Sequence, residues 1–311
     1  MPKADSGERL IVLGGTGFIG RALAFSRDTP MRPLYLVHRT MPDWLAEAGV
    51  ESIRVDLDDP ASVQTALLEG GTLVNLIRPD GQGSYPRMIE RLVSMACQCG
   101  IARFVHASSI DVYAGTPARL VDEETAVQPA SPYEKEHCEA ERIVTAGVPG
   151  GVVLRFGAVF GSGGRNVAGL ADEFLRAAYL KLALRRLLYG NRRMHLVSVE
   201  TTVRALVHFA CRSDHEGTVI VTQDDDPHNN FIFLQDTLAE AFARPSLRGV
   251  PTLPPAALRL ALRWRGLNPD MATRRFSSAR ARSLGLDTGG FADALKEYAR
   301  QLAVQHRTPT R

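Results

Sequence analysis

The sequence has few of the features that mark several classes of protein. Its 311 residues include only four cysteines, at positions 97, 99, 138 and 211, and neither these nor the eight histidines show metal-ligand spacing. No apolar run approaches the roughly 20 residues that a membrane-spanning helix requires. The formal net charge is only +3, which argues against a nucleic-acid partner. We therefore expect a cytoplasmic protein with free thiols, no metal, and neither a membrane nor a nucleic-acid partner.

Short apolar runs alternate with helical stretches through the first half of the chain. Strands buried on both faces are predicted at residues 10–13, 34–38, 52–56, 72–76 and 104–108. Helices are predicted between them at residues 18–25, 61–68 and 88–99. A longer helix begins near Pro132, with Ser131 as its cap. This alternation predicts an α/β fold with a Rossmann-like, doubly wound parallel sheet.

A glycine-rich turn follows the first predicted strand. The run LIVLGGTGFIG over residues 10–20 places glycines at 14, 17 and 20, and a helix begins within it. Gly14 permits the tight turn, Gly17 lets the backbone approach a pyrophosphate, and Gly20 allows close helix–strand packing. The start of the helix then faces the phosphates. The turn predicts a dinucleotide site whose contacts are Gly14, Thr16, Gly17, Phe18 and Ile19.

The end of the second predicted strand bears on which dinucleotide binds. NAD sites usually carry an acidic residue there, which holds the ribose 2′-hydroxyl. This chain has Arg39 instead, and a guanidinium can pair with a 2′-phosphate. We therefore expect NADP(H). Asp56, at the end of the third predicted strand, is expected to accept from the adenine amino group. The other expected cofactor contacts are Leu57, Leu76, Ile77, Arg78 and Phe156.

The pattern loosens after about residue 160. Proline and glycine cluster around residues 226–229, 245–255 and 266–269, between helical runs. We expect residues 1–160 to form the dinucleotide-binding Rossmann-like domain. Residues 161–311 are expected to form mainly a smaller substrate-binding lobe, with strands at 196–199 and 218–221 returning to the sheet.

Several motifs together resemble the extended short-chain dehydrogenase/reductase family, of the NAD-dependent epimerase/dehydratase type. They are the glycine turn and the runs FVHASSIDVY (104–113), SPY (131–133), LRFGAVFG (154–161) and HLVSVE (195–200). The resemblance covers nearly the whole chain. It implies that Ser109 polarises a substrate carbonyl and that Tyr133 transfers the proton while NADPH supplies hydride. It also implies a homodimer formed through the helices at 88–99 and 132–145.

The chain departs from the family pattern Tyr-x-x-x-Lys. His137 stands four residues after Tyr133, on the same face of the predicted helix, where the family has lysine. Lys135 lies about 200° round the helix and cannot replace it. In the family the lysine holds the nicotinamide ribose and supplies positive charge beside the tyrosine. Neutral imidazole can still bind the ribose, so His137 is expected as a substitute ligand with little charge.

These residues favour reduction of a ketone, as in nucleotide-sugar 4-ketoreductases. A reductase needs the tyrosine protonated, whereas a 4-epimerase that starts from an alcohol needs it deprotonated and is hurt more by loss of the cation. Ile110 after Ser109 leaves a dehydratase without its adjacent Asp-Glu pair. A 4-epimerase and a non-catalytic NADP-binding protein, acting as a redox sensor or scaffold, remain as alternatives.

The arginine-rich second half is the candidate substrate lobe. The resemblance suggests a nucleotide-linked sugar, whose diphosphate arginine side chains would bind. Candidate substrate contacts are Ser109, Asn166, Arg193 and Arg275. Ala158 stands where many sugar-nucleotide relatives have asparagine, and a glycosylated natural product is an alternative substrate.

Overall fold

The computed structural model describes residues 8–27, 29–68, 70–148, 150–264 and 273–307. The chain divides into two compact units. The first comprises residues 1–116, 126–156 and 202–221, and the second comprises residues 117–125, 157–201 and 222–311. That the second half binds substrate stays a prediction.

The first unit is built on a parallel sheet, to which the described residues contribute seven strands. These are β1 (Arg9–Leu13), β2 (Arg32–Val37), β3 (Glu51–Arg54), β4 (Thr72–Asn75), β5 (Arg103–Ser109), β7 (Gly151–Phe156) and β10 (Gly217–Val221). Their order is β10-β7-β5-β4-β1-β2-β3. The chain runs outward in opposite directions from β1 and β4, so the carboxyl ends of these two strands flank a crevice where open α/β sheets bind ligands. The predicted Rossmann-like fold is confirmed.

Helices cover this sheet. They are α1 (Phe18–Ala24), α2 (Trp44–Glu47), α3 (Pro60–Leu67), α4 (Tyr85–Gln98) and α5 (Pro132–Gly147), and α8 (Val199–Ala210) leads into β10. The strands β1 and β4 are almost completely buried, because helices lie against both faces of a parallel sheet. Helices α4 and α5 pack together through apolar side chains such as Ile89, Leu92 and Val144.

Helix α5 begins where the sequence predicts. The Ser131 side chain accepts from the Glu134 amide, and Glu134 accepts from the Ser131 amide, which is a complete capping box. Pro132 occupies the first turn, where its missing N–H costs nothing. This start determines where Tyr133 lies, one residue into the helix.

The described residues of the second unit form two small parallel pairs of strands. β6 (Leu120–Val121) pairs with β11 (Arg275–Phe276), and β8 (Ala158–Phe160) pairs with β9 (Leu196–Ser198). Its helices are α6 (Asn166–Arg176), α7 (Tyr179–Tyr189), α9 (Phe231–Ala241), α10 (Pro255–Trp264), α11 (Ala279–Ser283) and α12 (Phe291–Arg307). Its core includes the rings of Phe160, Phe291 and Tyr298, of which Phe160 and Phe291 meet edge-on.

The structure corrects two strand assignments. The predicted strand at residues 196–199 does not return to the main sheet, because it pairs with β8, whereas the one at 218–221 does return as β10. Asp56 does not end the third strand, since β3 stops at Arg54. Among the described residues, no helix combines the length and apolar character needed to cross a membrane.

Candidate active site

The glycine turn has the backbone geometry expected of it. Gly14 has φ +74°, and a Cβ built there would lie 2.6 Å from the Ile77 amide nitrogen. A Cβ on Gly20 would lie 2.0 Å from the Gly15 carbonyl oxygen, so only glycine lets α1 approach the turn this closely. Gly17 is exposed, and a Cβ on it would have only ordinary contact, at 3.7 Å from the Gly14 oxygen. Gly14 therefore seats the turn directly against the segment that follows β4.

That segment, residues 76–78, is held on both sides. The Leu76 amide donates to the Leu13 carbonyl at 2.8 Å, which joins it to the end of β1. The Ile77 amide donates to Asn75 Oδ1 at 3.2 Å, and the Tyr85 hydroxyl donates to the Ile77 carbonyl at 2.7 Å. These contacts fix the backbone of Leu76 and Ile77 and thereby the position of Arg78, the last residue of the segment.

Arg78 reaches the predicted proton donor. Its Nη2 donates to the Tyr133 hydroxyl oxygen at 3.2 Å, and its Cζ lies 5.7 Å from the Tyr133 ring centroid. Tyr133 is half-buried and Arg78 is exposed. The structure thus brings a guanidinium to the phenol from the end of β4, although the sequence offers no cation at the lysine position of α5.

His137 lies beside the phenol and is neutral. Its ring meets the Tyr133 ring edge-on at 4.7 Å between centroids, and only 2% of the residue is exposed. Burial, and then the charge of Arg78, lower the pKa of His137 to about 4. The imidazole therefore carries no charge at neutral pH.

A buried hydrogen-bond chain sets the tautomer of His137. Glu141 forms an ion pair with Arg155 at 2.6 Å, so its carboxylate can only accept, and the Ser108 hydroxyl donates to it at 2.5 Å. Ser108 Oγ has no second proton, so the contact of 3.3 Å to His137 Nδ1 must be donated by the imidazole. Nε2 is then an unprotonated acceptor. It is buried and has no hydrogen-bond partner among the described residues.

Ser109 ends β5 and caps the short turn that follows. Its Oγ accepts from the Asp111 amide at 3.2 Å, which leaves the hydroxyl proton available for another acceptor. Its neighbour Ser108 points into the protein and belongs to the buried chain. The alternation of side chains along β5 thus separates a half-buried serine from a structural one.

The remaining predicted cofactor contacts occupy ends of strands in the first unit. Arg39 follows β2, is exposed, and forms no ion pair within the ranges that the structure describes. Asp56 is exposed and accepts from the Asp58 amide at 2.9 Å. Leu57 is half-buried, and Phe156 is the buried last residue of β7, opposite Ser109. Their roles as cofactor contacts stay predictions.

The predicted substrate residues of the second unit already have partners within it. Asn166 Nδ2 donates to the Val159 carbonyl at 2.8 Å, and Arg193 donates to the Asp226 carbonyl. Arg275 forms an ion pair of 3.1 Å with Asp225. These contacts position the three side chains but do not test whether they bind substrate.

Sequence reasoning missed the contact between Arg78 and Tyr133, and the carboxylate that fastens the adjoining loop. Glu136 accepts from the Gly81 amide at 3.0 Å and from the Gly83 amide. A glutamate three residues after Tyr133, on the same side of the predicted helix, was the available signal for such an anchor. Arg78 itself was expected only as a cofactor contact, since no sequence spacing relates it to Tyr133.

Comparison with known sequences places these features in a family. The model of the NAD dependent epimerase/dehydratase family matches residues 10–221. A dTDP-6-deoxy-L-talose 4-dehydrogenase (NAD(P)(+)) from Kitasatospora kifunensis is 31% identical over 190 residues. The match covers 55% of this chain and 59% of that protein's length.

Solved structures are similar over most of their length. A UDP-Glc/GlcNAc 4-epimerase from Campylobacter jejuni has a TM-score of 0.68 and 14% identity, covering 96% of this chain and 100% of its own. A dTDP-glucose 4,6-dehydratase from Streptomyces venezuelae has a TM-score of 0.65 and 16% identity, covering 96% and 98%. At these identities the likeness shows the fold.

Proposed function

Since the chain belongs to the NAD dependent epimerase/dehydratase family, in the extended branch of the short-chain dehydrogenases/reductases, we propose that it is an NADPH-dependent ketoreductase. Its substrate is the keto group of a nucleotide-activated deoxysugar or a related biosynthetic intermediate. One observation carries the proposal: a short segment after β4 links the dinucleotide turn to the phenol. Gly14 seats against Ile77, and the next residue, Arg78, hydrogen-bonds to Tyr133.

The residues of the first unit fit a nicotinamide dinucleotide. The close approach at Gly14 leaves no room for a side chain, and the exposed Gly17 backbone is free to contact phosphate. Nε2 of His137, which has no hydrogen-bond partner among the described residues, is an acceptor suited to a ribose hydroxyl. Arg39, exposed and without an ion pair among the described residues, suits a 2′-phosphate and supports NADP(H) over NAD(H).

The bound cofactor would supply hydride to the carbonyl carbon. The protein's own residues donate the proton and stabilise the developing negative charge on the carbonyl oxygen. The Ser109 hydroxyl, whose oxygen already accepts from Asp111, donates to the carbonyl oxygen and polarises it. The Tyr133 hydroxyl then transfers its proton to that oxygen, which leaves an alcohol and a phenolate. Water reprotonates the phenolate after product leaves.

The choice of substrate rests on the named relative. That protein's name describes oxidation at C4 of a dTDP-linked 6-deoxysugar, and the reverse reaction reduces a 4-keto group. This chain spans 59% of that relative's length. The proposed substrate class is therefore a 4-keto-6-deoxysugar carried on a nucleoside diphosphate.

A nucleotide-sugar 4-epimerase is the second candidate, because the contact made by Arg78 removes the sequence-based objection to it. Because His137 supplies no charge to support a phenolate base, the sequence disfavours an epimerase. The guanidinium at 3.2 Å from the Tyr133 oxygen removes that objection. The two reactions differ in stoichiometry, because an epimerase consumes no NADPH in net turnover.

The experiment is a turnover assay with purified protein, NADPH or NADH, and a panel of dTDP- and UDP-linked 4-keto-6-deoxysugars. Loss of the near-ultraviolet absorbance of the reduced nicotinamide follows the reaction, and product analysis identifies the alcohol. We expect consumption of NADPH equal to alcohol formed. Tyr133→Phe should lower kcat/KM about 100-fold or more, the scale of general acid catalysis.

Tyr179→Phe is the matched control, because Tyr179 is an exposed tyrosine on α7. It should leave turnover unchanged. Interconversion of 4-epimers without net consumption of NADPH would establish the epimerase instead. Tight binding of NADPH with no turnover of any substrate would favour the non-catalytic sensor or scaffold, and full activity of Tyr133→Phe would refute the proposed mechanism.

A further inference from the structure

The position that supplies a cation in the family holds an uncharged group in this chain. His137 is buried, and burial together with the charge of Arg78 lowers its pKa to about 4. Its Nδ1–H is committed to Ser108. Imidazole at this position can accept a hydrogen bond through Nε2, but it cannot stabilise negative charge on the neighbouring phenol.

Arg78 is placed to supply that charge. The Nη2 atom of Arg78 donates to the Tyr133 oxygen at 3.2 Å. This hydrogen bond becomes stronger when the oxygen becomes anionic. No carboxylate within the described residues forms an ion pair with Arg78, so its charge is not neutralised locally. Arginine also remains protonated at any pH at which the protein is folded.

Hydrogen bonds hold the backbone in place both before and after Arg78. Before it, the Tyr85 hydroxyl holds the Ile77 carbonyl at 2.7 Å. After it, Glu136 of α5 accepts from the Gly81 amide at 3.0 Å and from the Gly83 amide. The loop that carries the guanidinium is therefore fastened to the helix that carries the phenol.

We propose that Arg78 takes the electrostatic role of the absent lysine and stabilises the phenolate that Tyr133 forms when it gives up its proton. This inference rests on the proposed function for its place in turnover. The step balances: the Tyr133 O–H bond breaks, the substrate alkoxide gains the proton, and the negative charge moves to the phenol oxygen beside the guanidinium. The positive charge thus comes from the loop after β4. Of the two functions of the family's lysine, His137 retains only the hydrogen bond to the ribose.

The groups around the phenol make Arg78 the source of positive charge. From α5 they are His137, which is neutral, and Glu136, whose carboxylate binds two loop amides. From α4 the nearby group is Tyr85, and burial raises the pKa of its hydroxyl, so it stays protonated. Of these groups, Arg78 alone is cationic at neutral pH.

The test measures the ionisation of the phenol directly in the full-length, cofactor-free protein. Tyrosine labelled with carbon-13 at Cζ reports ionisation by NMR, and the Tyr133 signal is the one that Tyr133→Phe removes. We expect Arg78→Gln to raise the pH midpoint of that signal, because it removes a positive charge from beside the phenol oxygen. Arg78→Lys should restore most of the shift, and Arg87→Gln, an exposed arginine on α4, should leave the midpoint unchanged.

Turnover gives the second readout. The proton donor must be protonated, so reduction falls as pH rises through the midpoint, and Arg78→Gln should move this alkaline limb upward by the same amount. We expect it to lower kcat about tenfold near neutral pH, with recovery in Arg78→Lys. An unmoved midpoint in Arg78→Gln overturns the inference even if the wild type reduces ketones, and leaves Arg78 as a cofactor contact. A shifted midpoint in a protein that reduces no ketone keeps the inference and refutes the proposed function.

Discussion

Acidification should weaken the first unit through two buried histidines. Burial lowers the pKa of His137 to about 4 and that of His106 to about 3, the latter with a further contribution from His137. In the unfolded chain both side chains titrate near the ordinary value of about 6.5. Below that pH the unfolded chain binds protons that the folded protein does not. Stability that is complete above pH about 6.5 is therefore lost as pH falls, toward about 4 for His137 and about 3 for His106.

The loss of unfolding free energy depends on how far the pH has fallen below the histidine pKa of the unfolded chain. Each histidine costs about 1.4 kcal/mol of unfolding free energy per pH unit between that pKa and its pKa in the folded protein. At pH about 5 the loss is therefore about 2 kcal/mol for each histidine, on top of whatever the carboxylates contribute. Removing one histidine should remove its share of this slope and leave the rest.

Urea denaturation of the wild type and His137→Gln near pH 7 and pH 5 measures this share. We expect the variant to lose about 2 kcal/mol less than the wild type between the two conditions. Val144→Ala is the control, since Val144 is fully buried on the same helix and has no titratable group. It should be less stable at both pH values but lose as much as the wild type between them. Equal losses in the wild type and His137→Gln would refute the assignment of a neutral, buried imidazole.

Two further substitutions test the cofactor preference and the buried ion pair. Arg39→Asp should weaken NADPH binding about tenfold or more in calorimetry, the scale of a lost hydrogen bond to a charged group, while NADH binding is not weakened. An equal loss of affinity for NADPH and NADH would show that Arg39 does not contact the 2′-phosphate. Glu141→Gln leaves Arg155 buried without a carboxylate, so the free energy of unfolding should fall by about 3–5 kcal/mol in chemical denaturation. A loss below about 1 kcal/mol would contradict the buried pairing.

The fold of the first unit could be predicted because its signals are local. Continuous apolar runs predicted the buried strands, and Ser131 followed by Pro132 marked the start of α5. The glycine turn followed from the spacing of its glycines directly after the first predicted strand. The strand at residues 196–199 was assigned to the wrong sheet, because a short apolar run does not indicate which partner it pairs with.

The site was harder to predict because its contacts join distant parts of the chain. The spacing of four residues placed His137 beside Tyr133, and that geometry is present. The contact from Arg78 crosses 55 positions and depends on how the loop after β4 is tied down by Glu136 and Tyr85. Helical and strand periodicities describe neighbours within one element, so they carry no information about such a contact.

The hydrogen-bond chain behind His137 also limits how the site could be redesigned. A lysine at position 137 would place an ammonium beside Ser108 in place of the imidazole that now contacts the Ser108 hydroxyl. That hydroxyl already donates its only proton to Glu141. The new cation would also face Arg78 across the same phenol, and like charges repel. Adopting the family pattern Tyr-x-x-x-Lys would therefore require coordinated changes on β5, on α5 and in the loop after β4, because a single exchange at His137 would place two cations beside one phenol.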